Sequence, residues 1–153
     1  MLRVSNSYRV TAISDAPPEI VFDVLLHGAT WPDWSPIDGF SLEGGGDPAG
    51  PQGIGDVRLF RTGRVISREP ITALTHARRI AYVNTSPPWR RYRGLIELAP
   101  VESGGTVVTW SAEFTPRFPG TGWFWRLFLR RFMQRMANGL AAYADGRPET
   151  TGE

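Results

Sequence analysis

At 153 residues, with 41% hydrophobic and 21% charged content, the chain has enough apolar material for one domain with a substantial core, which argues against wholesale disorder. It has no cysteine and only two histidines, His27 and His76, without ligand spacing, so disulfides, thiolate chemistry and a zinc site are all argued against. The 17 basic residues are all arginine, a bias that fits a GC-rich coding sequence, and a net charge of +2 gives no case for nucleic acid.

The opening MLRVSNSYRV lacks a continuous apolar stretch and a small-residue cleavage site. No apolar run approaches the roughly 18 residues that span a bilayer, so a cytoplasmic protein is expected.

Residues Asn6 to Ser14 read as a first strand, rich in β-branched and aromatic residues. DAPPEIVFDVLLHG (Asp15 to Gly28) follows as a helix, with prolines in front, Glu19 in the first turn and a glycine at its end. TWPDWSP then sets Trp31 and Trp34 three residues apart, and its prolines confine it to a short second helical piece. Trp34 is expected as cavity wall or core support, and Trp31 as packing against the first helix. From Phe40 the chain turns extended and breaks at the glycine-rich run from Gly44 to Gly55. That run lacks a G-K-[ST] ending and no helix pattern follows, so a phosphate loop is set aside for a mobile lip between strands.

Four further strands are predicted, over Gly55 to Thr62, Arg64 to Leu74, Arg78 to Thr85 and Arg90 to Ala99. A last one, Thr106 to Thr115, alternates cleanly with Val108, Trp110, Ala112 and Phe114 on one face. Trp123 to Tyr143 is the longest periodic segment. On a helical wheel Trp125, Phe128, Leu129, Phe132, Met136, Leu140 and Tyr143 share one arc, opposite Arg126, Arg130, Arg131, Gln134 and Arg135. The order of elements favours an antiparallel sheet covered by one long helix.

The series APPEIVFDVLLHGATWPDWSP, GIGDVRLF, SREPI, RRIAYV, RGLIEL and GGTVVTWSAEFTP, followed by a long helix, resembles the SRPBCC (START-like) superfamily. Within it the polyketide cyclase/dehydrase and lipid-transport group is the most similar, and the likeness covers Asn6 to Tyr143. It implies an α+β helix-grip fold: a curved antiparallel sheet of six to seven strands around a long C-terminal helix, with two short helices after strand one and an internal cavity. The expected organisation is a single domain over 1–145 and a flexible tail over 146–153. The implied function is binding of a hydrophobic small molecule or lipid, without metal or cofactor. A polyketide aromatase/cyclase or dehydratase using the same cavity is the alternative. A third reading is an accessory protein that docks on lipid or a partner through the arginine face.

Pocket specificity comes from a few inward polar groups. Glu69 is the first candidate. If the Thr62-Gly63 turn pairs Phe60 with Val65, then Arg58, Phe60, Ser67 and Glu69 share a face, but Val57, Leu59 and Ile66 on the other face have an equal claim on alternation alone. The resemblance favours Glu69, because a glutamate in a similar strand position lines the pocket of the superfamily's plant hormone receptors. A carboxylate there is either paired with an arginine such as Arg58 or raised in pKa, and so able to act as acid or base. Tyr82 and Tyr92 are candidate hydrogen-bonding phenols; as ordinary core they would need satisfied hydroxyls. Trp110, Phe114, Phe128 and Phe132 complete the expected lining, against an aromatic or apolar ligand. Hydrolase triads and paired carboxylates find no motif.

Overall fold

The computed structural model describes residues 6–146, so all but the first residue of the expected tail lies outside it. Seven strands form one antiparallel sheet: β1 (Asn6–Ser14), β2 (Gly39–Leu42), β3 (Val57–Thr62), β4 (Val65–Thr75), β5 (Arg79–Val83), β6 (Trp89–Pro100) and β7 (Thr106–Pro116). Their spatial order is β1-β7-β6-β5-β4-β3-β2. Every neighbour except the β1–β7 pair is adjacent in sequence; short turns join the pairs from β3 onward, and the glycine-rich run joins β2 to β3. Between β1 and β2 lie α1 (Pro18–Leu26), a 3₁₀ turn (Gly28–Thr30) and α2 (Trp31–Trp34), and α3 (Gly122–Asp145) closes the fold. No helix among the described residues is long and apolar enough to cross a membrane.

Local chemistry explains the joints. Pro18 sits at the start of α1, where a missing N–H costs nothing, and Pro32 does the same for the one-turn α2. The sheet curls at β4. Its first half pairs with β3 through Pro70, which stands opposite Val57, and its second half pairs with β5 from Ile71 onward, with a register break between Ile71 and Ala73. Proline removes one ladder donor and the bulge bends the strand, so the β2–β4 arm folds away from the β5–β7 arm. That bend leaves space between the arms and the helix.

The long helix lies on β1 and β7 and touches α1 and α2. Its buried face is Leu129, Met133, Met136, Ala137, Leu140, Ala141 and Ala144, rotated from the aromatic arc expected from the wheel. The reason is size: alanines permit close approach, and at Gly139 a Cβ would lie 1.8 Å from the Trp34 carbonyl oxygen. The aromatic residues of the first half are thereby turned sideways, and Phe128 is 47% exposed. At the far end Ser14 Oγ reaches the Ala141 carbonyl (3.0 Å) and the Asp145 carboxylate (2.6 Å), tying α3 to β1.

The glycine-rich run is anchored rather than free along its length. Gln52 Oε1 accepts from the Gly28 N–H at 2.8 Å, while the Gln52 N–H donates to the Leu26 carbonyl. The run lies between β2 and β3, and none of its residues lines the cavity described below.

Candidate functional site

Between the bent sheet and α3 lies a cavity of about 600 Å³, within the range of small-molecule sites. Its wall is mostly apolar. Trp31 and Ile37 close one end; Phe60, Ser67, Glu69, Tyr82, Tyr92 and Trp110 come from the sheet; Trp125, Phe128, Leu129, Phe132, Met133 and Met136 come from α3. Thr62 and Val65 of the β3–β4 hairpin, Asn84, Trp89 and the Pro87–Pro88 pair, joined by a cis peptide bond, complete it.

The structure gives the two tryptophans of α2 different places: Trp31 both packs against α1 and enters the wall, whereas Trp34 lies behind it. Trp31 is in the wall, stacked on Phe60 (centroids 4.3 Å apart, planes at 20°) and edge-on to Trp110 at 5.6 Å. Its Nε1–H donates to the Leu25 carbonyl, which also ties it to α1. Trp34 stands one ring behind, 5.0 Å from Trp31, and donates to Thr30 Oγ1. It is core support and not wall. Phe114 is likewise absent from the wall: Tyr8, Tyr92 and Trp89 surround it and Trp89 takes the cavity side. Phe128 lines the cavity only at its rim, and Phe132 is half-buried beside it.

The polar groups gather on the sheet. Tyr8 and Tyr92 share a hydrogen bond at 2.6 Å between their hydroxyls, and Trp110 Nε1–H donates to Tyr82 Oη at 2.9 Å. Burial pushes the phenols of Tyr8, Tyr82 and Tyr92 well above their ordinary range, so all three stay neutral donors or acceptors. Tyr82 lies flat across the neighbouring strand because residue 94 is glycine. The two residues are direct cross-strand partners, and a Cβ at Gly94 would fall 2.1 Å from the ring. Tyr8 carries no signal beyond the alternation of β1, which puts Asn6, Tyr8 and Val10 on the buried face.

Glu69 and Arg58 are direct partners across β3 and β4. The hairpin register differs by two residues from the expected one, with Thr62 opposite Val65 and Phe60 opposite Ser67. A shift of two preserves the face, so Arg58, Phe60, Ser67 and Glu69 do lie together. Arg58 is fully buried. It donates from Nη1 to the Leu25 carbonyl at 2.7 Å, its guanidinium carbon lies 4.8 Å from the Trp31 ring centre and 5.2 Å from that of Phe60, and Nε and Nη2 have no partner. Burial lowers its pKa to about 10 despite the nearby Glu69, and it stays charged at neutral pH.

No hydrogen bond reaches the Glu69 carboxyl among the described residues, and Arg58 is close enough to act on it but not to form an ion pair. Glu69 is half-buried and lines the cavity, whose wall is mostly apolar. Desolvation therefore raises its pKa to about 7, against the lowering effect of Arg58. The site thus holds a carboxyl near half-protonation at neutral pH, with Tyr82 and Tyr92 within electrostatic reach of it.

The bent sheet, the long helix across it and the largely apolar cavity between them define a START-like helix-grip domain. Residues 5–145 match the family model for polyketide cyclase/dehydrase and lipid transport, and the chain belongs to that family. Solved structures agree on the fold. A START superfamily protein from Mycobacterium smegmatis superposes with a TM-score of 0.76 at 12% identity, covering 92% of this chain and 97% of that one. XoxI from Bacillus cereus gives 0.74 at 20%, covering 90% and 94%, and Ara h 8.0201 gives 0.70 at 14%, covering 94% and 99%. A search of curated proteins finds no match. Fold and family together support a hydrophobic ligand-binding role.

Proposed function

We propose that the chain binds a hydrophobic small molecule or lipid whose apolar body fills the cavity and whose polar group meets Glu69, Tyr82 and Tyr92. The observation that carries this reading is the pairing of a roughly 600 Å³, mostly aromatic and aliphatic enclosure with one concentrated polar patch on its sheet side. Trp31, Phe60, Tyr82, Tyr92 and Trp110 make the wall strongly aromatic, which favours a ligand with an aromatic or polyene portion. Ser67 and Asn84, also in the wall, add a hydroxyl and an amide for orientation.

Native mass spectrometry of the purified protein, followed by extraction, should show a co-purified hydrophobic compound. That compound should dissociate more readily from Tyr92→Phe and Trp31→Ala variants. Protein free of ligand that also fails to bind an anilinonaphthalene sulfonate probe would count against the reading.

A second reading, a polyketide aromatase/cyclase or dehydratase, draws support from one feature, the Glu69 carboxyl poised near pH 7 in a desolvated site. A group near half-protonation serves as either acid or base. A folded polyketide chain would be held by the aromatic wall while Glu69 takes a proton from an activated carbon and a tyrosine hydroxyl donates to the adjacent carbonyl. Glu69→Gln and Tyr92→Phe variants with full turnover on a verified substrate would exclude this role.

A further inference from the structure

The first half of α3 carries large apolar side chains well beyond its buried face. Leu129 and Met133 are buried, Trp125, Phe128 and Phe132 lean over the cavity, and Trp123, Phe124 and Leu127 stand in solvent at 64%, 47% and 49% exposure. Large apolar side chains clustered on a solvent face mark a contact surface. Interleaved with them are Arg126, Arg130, Arg131 and Arg135, all exposed. The helix carries no carboxylate before Asp145, and none of the four arginines forms an ion pair among the described residues.

The patch is continuous with the cavity rim. Phe128 and Phe132 line both the cavity and an adjoining surface groove that also holds Phe124, Leu127, Arg131 and Arg135. On the opposite rim Val65, at the tip of the β3–β4 hairpin, lines the cavity and is 57% exposed, and its neighbour Ile66 is exposed as well. Bulky apolar groups at both rims, with Arg130, Arg131 and Arg135 free of ion pairs among the described residues and Arg126 bonded to Asn6 Oδ1, match the boundary of an anionic bilayer. There Trp, Phe and Leu enter the headgroup–acyl zone while arginine stems extend to the phosphates. An acidic protein would satisfy the arginines but would leave Trp123 and Phe124 without an apolar counterpart.

We propose that this face of α3 docks the chain on an anionic lipid surface with the cavity rim turned toward the membrane. Docking itself does not depend on a filled cavity; its use in loading or delivering a ligand rests on the binding function proposed above.

The full-length protein, floated with phosphatidylcholine vesicles containing phosphatidylglycerol, tests the proposal. Association is expected to require the anionic lipid, to weaken as salt rises and to shift tryptophan emission to the blue. The double change Arg130→Glu, Arg131→Glu should lower partitioning by roughly fivefold or more for each residue. Trp123→Ala with Phe124→Ala should remove the blue shift. None of these four residues lines the cavity, so both variants should keep the wild-type melting temperature and any co-purified ligand.

Absence of vesicle binding at low salt would overturn the proposal, as would binding indifferent to charge reversal. A dimer broken by Trp123→Asp would assign the face to a second copy of the chain, and salt-sensitive capture of acidic proteins without vesicle binding would assign it to a protein partner. Vesicle binding by a protein that takes no cavity ligand would leave docking standing and sink the proposed cavity function, and the converse result would do the opposite.

Discussion

Replacing Glu69 by glutamine gives the sharpest test of how the cavity is built. In the folded chain the Glu69 carboxyl moves from its ordinary value of 4.5 up to about 7. The native state therefore holds its proton more tightly than the unfolded chain, and stability falls as pH rises from about 4.5 to about 7. At about 1.36 kcal/mol per pH unit the loss amounts to about 3 kcal/mol, fully present above pH 7 and absent below about 4.5. Arg58 does not blur this window, because its own pKa falls only to about 10 and its charge is constant below that. Glutamine keeps the shape and cannot ionise. Glu69→Gln should match the wild type near pH 4.5 and exceed it by about 3 kcal/mol at pH 8. For a chain of this size that corresponds to a gain of about 6–12 °C in melting temperature. Thermal or urea unfolding of both proteins between pH 4.5 and 8 decides the matter. Equal stability at pH 8, or a less stable Glu69→Gln, would show that the carboxyl is solvated or paired and would refute the desolvation argument.

Other substitutions probe the surrounding architecture. Arg58→Met removes a buried cation with two unpartnered donors, so the variant should be as stable as the wild type or more stable by about 1–4 kcal/mol; its Glu69 should titrate higher still, shifting the pH-dependent loss of stability upward in an unfolding series. Gly94→Ala forces the Tyr82 ring out of place and should cost about 1–3 kcal/mol, a cost that should largely vanish in a Tyr82→Ala background when measured as a double-mutant cycle. Trp31→Ala should cost about 3–5 kcal/mol and weaken ligand retention together. Trp34→Ala should reduce stability with a smaller effect on retention, and the reverse ranking by native mass spectrometry would contradict the division of the two rings between wall and support.

The order of elements, the antiparallel sheet and the single long helix were legible from periodicity and punctuation, because each is a local property of the chain. Prolines flanked the short helices, glycines stood at the turns, and the alternation of Val108, Trp110, Ala112 and Phe114 marked the buried face of β7. The parity of the β3–β4 hairpin survived a register error of two residues, so Arg58 and Glu69 could be placed on one face without knowing their neighbours.

What the sequence could not set was depth. Trp31 and Trp34 have the same local surroundings, and only the close approach of α2 to α3 at Gly139 puts one in the wall and the other behind it. The wheel of α3 weighs side chains by hydrophobicity, whereas packing selected the small alanines for contact and left Phe128 half-exposed and Trp125 and Phe132 only partly buried. From the sequence the Glu69 carboxylate could be either paired with an arginine such as Arg58 or raised in pKa. The fold keeps Arg58 and Glu69 apart, one against Trp31 and Phe60 and the other facing the cavity, so desolvation controls the carboxyl. Pattern alone thus determined which residues share a face, while distance and enclosure, which fix pKa and pocket, came only from the assembled chain.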